Sequence, residues 1–249
     1  MHPHQQLIYN DLLHQLLVEE ISKAQISSAV IVARGKSAEK IQYQKDKSDL
    51  VIFVNEVESH MKSKEILKLA QNAKITFSYI NTAFENLPSP ETAKKLRIAF
   101  YQSNKKILAH DVPTWMKYMW FQRLQAAANQ KQESSLNQGI QRLNFGFMPE
   151  YFDDTKNVKT NGLMALRWCV ECLKVKNIKS YGIDFFEAPY QHYHINTGTP
   201  EVLEHQPSKG KVAKEEFLEV CRNSPGTQIE IYTYADFSMY DIPENLTFL

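Results

Sequence analysis

The sequence predicts an α/β fold built on a parallel sheet flanked by helices. Three observations lead there: short β-branched runs recurring along the chain, helical stretches between them, and strand ends that stop at a glycine turn or an asparagine. Strands that alternate with helices at this rhythm need crossover connections, which makes the arrangement Rossmann-like.

Residues 7–24 place Leu7, Leu12, Leu13, Leu16, Leu17 and Ile21 at helical spacing and read as an amphipathic helix. Residues 27–33 form a first strand, broken at Arg34-Gly35-Lys36-Ser37. A second, Leu50–Val54, stops at Asn55; residues 58–71 are expected to be helical, and a third strand, Ile75–Ile80, ends at Asn81. Pro88-Ser89-Pro90 is a turn, 91–96 starts a helix, and 97–101 suits another strand. Residues 112–143 are polar, Gln-rich and aromatic. They hold no glycine before Gly139 and no proline after Pro113, so they read as one or two helices outside the sheet, in a helical insertion over about 107–157. The α/β rhythm returns at Thr160-Asn161-Gly162, which opens a helix over 163–174. A strand over 178–183, a loop over 186–207, a helix over 212–221 and a strand over 228–233 follow. The tail beyond Asp236 carries no clear pattern. No repeat or low-complexity block divides the chain, so 1–249 is read as a single domain.

Composition bounds the function. With 43% hydrophobic and 23% charged residues, the chain has ordinary material for a sizeable core. Its net charge of +1, from 29 basic and 28 acidic residues, gives no basic stripe for neutralising phosphates, so a nucleic-acid partner is not expected. No apolar run approaches the roughly 20 residues that cross a bilayer. The start, Met1-His2-Pro3-His4-Gln5-Gln6, lacks the basic and apolar parts of a signal peptide, so a cytoplasmic location is expected. The three cysteines, Cys169, Cys172 and Cys221, fit a reducing compartment. Trp115, Tyr118, Trp120 and Phe121, if exposed, offer a patch for self-association or for the inner face of a membrane; core packing is the commoner fate of such residues.

Five motifs bear on chemistry. The turn at Arg34-Gly35-Lys36-Ser37 offers backbone N–H groups to a phosphate or ribose, or is a plain connection. A Walker loop is excluded, because Val30 stands where that motif needs glycine. Asn55 and Asn81 sit just past strand ends, where open parallel sheets bind ligands; a lone Asn there is more often a cap. Thr160-Asn161-Gly162 presents hydroxyl, amide and N–H groups at a helix start, which is also an ordinary capping pattern. Tyr190, His192, Tyr193, His194 and His205 gather a proton acceptor and two phenols in one loop. That loop lacks a nearby Asp-x-Asp, so a metal site is not expected. Cys169-Val170-Glu171-Cys172 has no second pair and falls inside a helix, so its thiols read as structural.

Two stretches, taken together, resemble the bacterial sialyltransferases of glycosyltransferase family 42. The first runs from Val30 through Gly35 and Ser37 to Tyr43, then from Ser48 to Asn55; the second joins Lys159-Thr160-Asn161-Gly162 to Ser180-Tyr181-Gly182-Ile183-Asp184-Phe185-Phe186. The likeness continues through His205 and the helix that follows, and covers about 28–56 and 158–235. It implies the GT-A-like variant of the fold found in sialyltransferases, with a mobile lid over about 186–207. It also implies a CMP-sugar donor, a glycan acceptor, no cofactor and no metal. The donor site would comprise Arg34, Gly35, Ser37, Asn55, Asn81, Thr160, Asn161, Gly162, Asp184 and Phe186. His205 would be the general base, with Tyr190 and Tyr193 stabilising the departing phosphate. The sequence departs from the family pattern at Arg34 (Asn in the family), Lys36 (Pro), Asn161 (Ser) and Phe186 (Tyr). Those departures keep open another CMP-linked acid such as Kdo, or a non-catalytic nucleotide- or glycan-binding protein on the same fold.

Overall fold

Runs of aliphatic and β-branched side chains become the centre of the molecule. The computed structural model describes residues 14–15, 18–19, 21–55, 57–80, 90–103, 145–147, 160–187, 191–193, 200–202 and 207–249. Within them the strands are β1 (Ser28–Val32), β2 (Leu50–Val54), β3 (Ile75–Ile80), β4 (Ile98–Ser103), β5 (Phe145–Phe147), β6 (Asn177–Tyr181), β7 (Gln191–Tyr193), β8 (Pro200–Val202), β9 (Gln228–Tyr232) and β10 (Leu246–Phe248). The helices are α1 (Lys64–Asn72), α2 (Pro90–Lys95), α3 (Asn161–Glu171) and α4 (Pro207–Arg222). Among the described residues, eight strands form one sheet in the order β10-β9-β6-β1-β2-β3-β4-β5, and every adjacent pair is parallel. The expected α/β class with a parallel sheet and flanking helices is the observed one.

Each central strand is buried on both faces, which explains its continuous apolar run. Alternation along the strand divides the side chains between two cores. Ala29, Ile31, Leu50, Ile52, Phe77 and Ile178 face α3 and α4, meeting Leu163, Leu166, Trp168, Ala213, Phe217 and Cys221. Val30, Val32, Val51 and Phe53 face the other way, against Ile66, Leu69 and Ala70 of α1 and against Ala38 and Val57. At about 25 cal/mol per Å² of apolar surface removed from water, these two cores are the main stabilising term of the fold.

The structure also departs from the expected elements. Residues 58–71 are not one helix: a 3-10 turn, Glu58–Lys62, gives way to α1 at Ser63, whose hydroxyl oxygen accepts the Ile66 N–H at 3.3 Å and restarts the helix. Within the expected helical insertion over 107–157, the described residues 145–147 form a strand on the β4 edge, and the rest lies outside the described residues. The expected loop over 186–207 contains the antiparallel pair β7–β8. The tail supplies β10, which pairs with β9. Of the expected helix over 7–24, the described positions 14–15, 18–19 and 21–22 are helical. Among the described residues, no helix is long and apolar enough to cross a membrane.

Candidate functional site

From β1 the chain winds outward through β2, β3, β4 and β5, then returns to the other side of β1 with β6. Strand order therefore reverses between β1 and β6, and a parallel sheet opens a crevice at the carboxyl ends of its strands at such a point. A cleft of about 70 Å³ lies there. Four remote segments line it: Ala33 and Arg34 after β1, Val54 and Asn55 at the end of β2, Thr160 to Gly162 at the start of α3, and Gly182 to Phe186 after β6.

Asn55 turns the chain at φ 63°, a left-handed conformation that asparagine tolerates better than most residues. Its N–H donates to the Tyr79 carbonyl at 2.8 Å. Its side-chain oxygen accepts the Asn161 amide at 2.7 Å, joining the end of β2 to the start of α3. Thr160 caps α3: the backbone is extended (φ −87°, ψ 137°) and the hydroxyl oxygen accepts the Leu163 N–H at 3.2 Å. The start of α3 carries the partial positive charge of a helix N-terminus, and Arg34 is among the residues that line the same cleft. The Arg34 charge reaches the buried His60, whose pKa falls to about 4, first through burial and then through Arg34. The Asp184 carboxylate borders the same cleft, so groups of both signs meet there.

At the edge of the cleft, Asp184 is a tie point. Its carboxylate accepts the Ser37 hydroxyl at 2.7 Å and the Ser37 N–H at 3.3 Å. It also accepts the Thr233 hydroxyl at 3.3 Å and the Tyr234 N–H at 3.4 Å. Ser37 reciprocates, its oxygen accepting the Gly182 N–H at 2.7 Å. The loops after β1, β6 and β9 are held together by this one buried carboxylate. Glycine is required on both sides of the contact. A Cβ on Gly35 would stand 2.3 Å from Asp184 Oδ2, and one on Gly182, at φ +78°, would stand 2.3 Å from the Ala33 carbonyl oxygen. The Gly35 N–H donates to the Gly182 carbonyl at 2.9 Å, so this N–H and that of Ser37 bond inward rather than toward a ligand.

Of the residues expected from sequence, Arg34, Asn55, Thr160, Asn161, Gly162, Asp184 and Phe186 line the cleft. Gly35 and Ser37 stand just behind it, on Asp184. Tyr193 falls on β7 opposite Pro200, a backbone placement only. His205, Tyr190, Asn81 and His194 lie outside the described residues. Sequence reasoning missed Thr233 and Tyr234, which bond Asp184 from 49 and 50 residues away and carry no local signal. It named Phe186 but not Phe185, and the paired conformation that makes the two one wall of the cleft carries no local signal. Both have positive φ, 50° and 58°, and Phe185 is buried with its ring 5.3 Å from Phe217 and 5.1 Å from Phe237.

No family model matches this chain. Neither does any curated protein or solved structure. The cysteines are free thiols; burial lifts the Cys169 thiol far above its ordinary range and pushes Cys221 up to about 12, so neither is an activated nucleophile at neutral pH.

Proposed function

We propose that this chain is an inverting, metal-independent glycosyltransferase that moves sialic acid, or a related CMP-activated keto-sugar, to a glycan acceptor. One observation carries the proposal. The segments that resemble the donor-binding motifs of family 42 sialyltransferases, although far apart in sequence, meet at the switch-point cleft. The α3 N-terminus and Arg34 suit the phosphate of a nucleoside monophosphate, and the Asn55–Asn161 pair supplies amides for a base or ribose. At about 70 Å³ the cleft is well short of the roughly 300–1,000 Å³ of a complete small-molecule site.

In this proposal the GT-A-like variant of the fold carries a lid over about 186–207. His205, two residues before α4 begins at Pro207, takes the acceptor hydroxyl proton as the new bond forms. Displacement at the anomeric carbon passes through an oxocarbenium-like transition state, and CMP leaves with its phosphate charge met by Tyr190, Tyr193 and Arg34. The departing nucleotide is a monophosphate, so no metal is required to neutralise it.

A non-catalytic nucleotide- or glycan-binding protein is the second reading. Its support is Phe186, which brings a phenyl ring to the cleft where the family has a tyrosine hydroxyl. Titration with CMP, followed by assay of CMP release from CMP-sialic acid with and without acceptor, separates the two. The transferase is expected to bind CMP and release it in an acceptor-dependent way. His205→Ala is expected to lose roughly 10²–10⁴-fold in turnover while keeping CMP affinity. Unchanged turnover in that variant removes His205 from the mechanism; CMP binding without turnover in the native chain selects the second reading.

A further inference from the structure

The wall of the cleft is held from behind by an ion pair. Phe185 and Phe186 occupy consecutive left-handed positions, a conformation that persists in non-glycine residues only where the surroundings over-determine it. Four contacts do so here. The Glu187 N–H donates to the Asp184 carbonyl at 3.0 Å, closing the turn around the two phenylalanines. The Glu187 carboxylate pairs with the Lys214 ammonium of α4 and accepts the Asp236 N–H at 2.8 Å. Gly210, one turn before Lys214, lets α4 press against the turn: a Cβ there would stand 2.5 Å from the Phe185 carbonyl oxygen.

Lys214 is buried, with 7% of its surface exposed. Its ammonium also donates to the Asp236 carbonyl at 2.9 Å and lies 5.2 Å from the Tyr240 ring centroid and 5.6 Å from that of Phe237. A lysine held this far from water needs its charge met, and the Glu187 carboxylate meets it. The partner is the residue that ends the strained turn.

We propose that Glu187 and Lys214 are positioning residues of the cleft: their ion pair clamps the Phe185–Phe186 turn and so fixes the wall that a bound nucleotide meets. The clamp is a property of this chain's geometry; its effect on a nucleotide rests on the donor-site reading given above.

The test compares the native chain with two variants. Glu187→Gln/Lys214→Met removes both charges together and leaves neither ion buried alone. Gly210→Ala keeps the pair and pushes on Phe185 instead. Hydrogen–deuterium exchange resolved by segment is the first readout. Both variants are expected to exchange at least tenfold faster over 182–187, with β1 and β2 unchanged. A uniform rise across the molecule, or no rise, overturns the clamp, because the pair then serves global stability alone or nothing. Titration with CMP is the second readout. Where the native chain binds CMP, both variants are expected to bind it at least tenfold more weakly, and equal affinity overturns the positioning role. A native chain that does not bind CMP defeats the donor-site reading only, and the exchange result still decides the clamp. Should the double variant fail to fold, Gly210→Ala carries both readouts.

Discussion

Asp184 and Ser37 are separated by 147 residues and make each other's hydrogen bonds. At the scale of single residues, the consequence is that small changes on either loop act on both. Gly35→Ala drives a Cβ into the carboxylate and is expected to destabilise the fold by about 1–3 kcal/mol, a typical overpacking effect. Ser37→Ala leaves Asp184 short of a donor and the Gly182 N–H short of an acceptor, with an expected loss of about 1–3 kcal/mol. Because the two substitutions share one carboxylate, the double variant should lose less than the sum, which urea denaturation of all four chains will measure. Gly35 and Ser37 were visible in the sequence through their turn, and Asp184 only through the resemblance to family 42. Their bonding was not visible, because a hydrogen bond across 147 residues leaves no periodic trace. Phe186 was named from sequence, but its turn with Phe185 was hidden for a related reason: positive φ at phenylalanine is imposed by packing and not by the local sequence.

At the scale of elements, α3 links the sheet to the cleft. Its apolar residues Leu163, Leu166 and Trp168 face the core, while its first turn borders the cleft. Thr160 sets where that turn begins. Thr160→Ala is expected to lose about 1 kcal/mol, seen as a fall of about 2–4 °C in thermal midpoint, and Thr160→Ser to retain most of the native value. The elements that sequence predicted well, such as β2 and β3, have their ends set by Asn55 and by the flanking polar residues. Those it missed, β5, β7, β8 and β10, are three residues each. Strands that short exist because a neighbour offers backbone to pair with, and that information resides in the neighbour.

At the scale of the whole molecule, both cores contain a histidine that folds uncharged. His14 accepts the Trp168 indole N–H at 2.9 Å, and burial lowers its pKa from 6.5 to about 4. His60, in the opposite layer beside Phe53, is lowered equally. The unfolded chain binds a proton at each near pH 6.5, whereas the folded chain resists until about pH 4. Stability from these sites is therefore complete above pH 6.5, falls as pH drops from 6.5 to about 4, and then levels off; the loss is on the order of 1–3 kcal/mol for each histidine. Asp49, held well below its ordinary pKa by Ser27 and Lys74, adds its own loss only at more acid pH. Urea midpoints measured across pH 4–7 should show the slope, and His14→Gln/His60→Gln should flatten it. The strand order has a consequence for biosynthesis. β1 sits between β2 and β6, yet β6 begins only at Asn177. On the ribosome, at about 5–20 residues per second, β1 leaves the exit tunnel on the order of ten seconds before its second neighbour. Throughout that interval the nascent chain carries an unpaired apolar edge that other chains can capture, so demand for chaperones should peak there. Any fragment that stops short of Gly182 lacks one bank of the cleft, so the cleft is complete only late in translation.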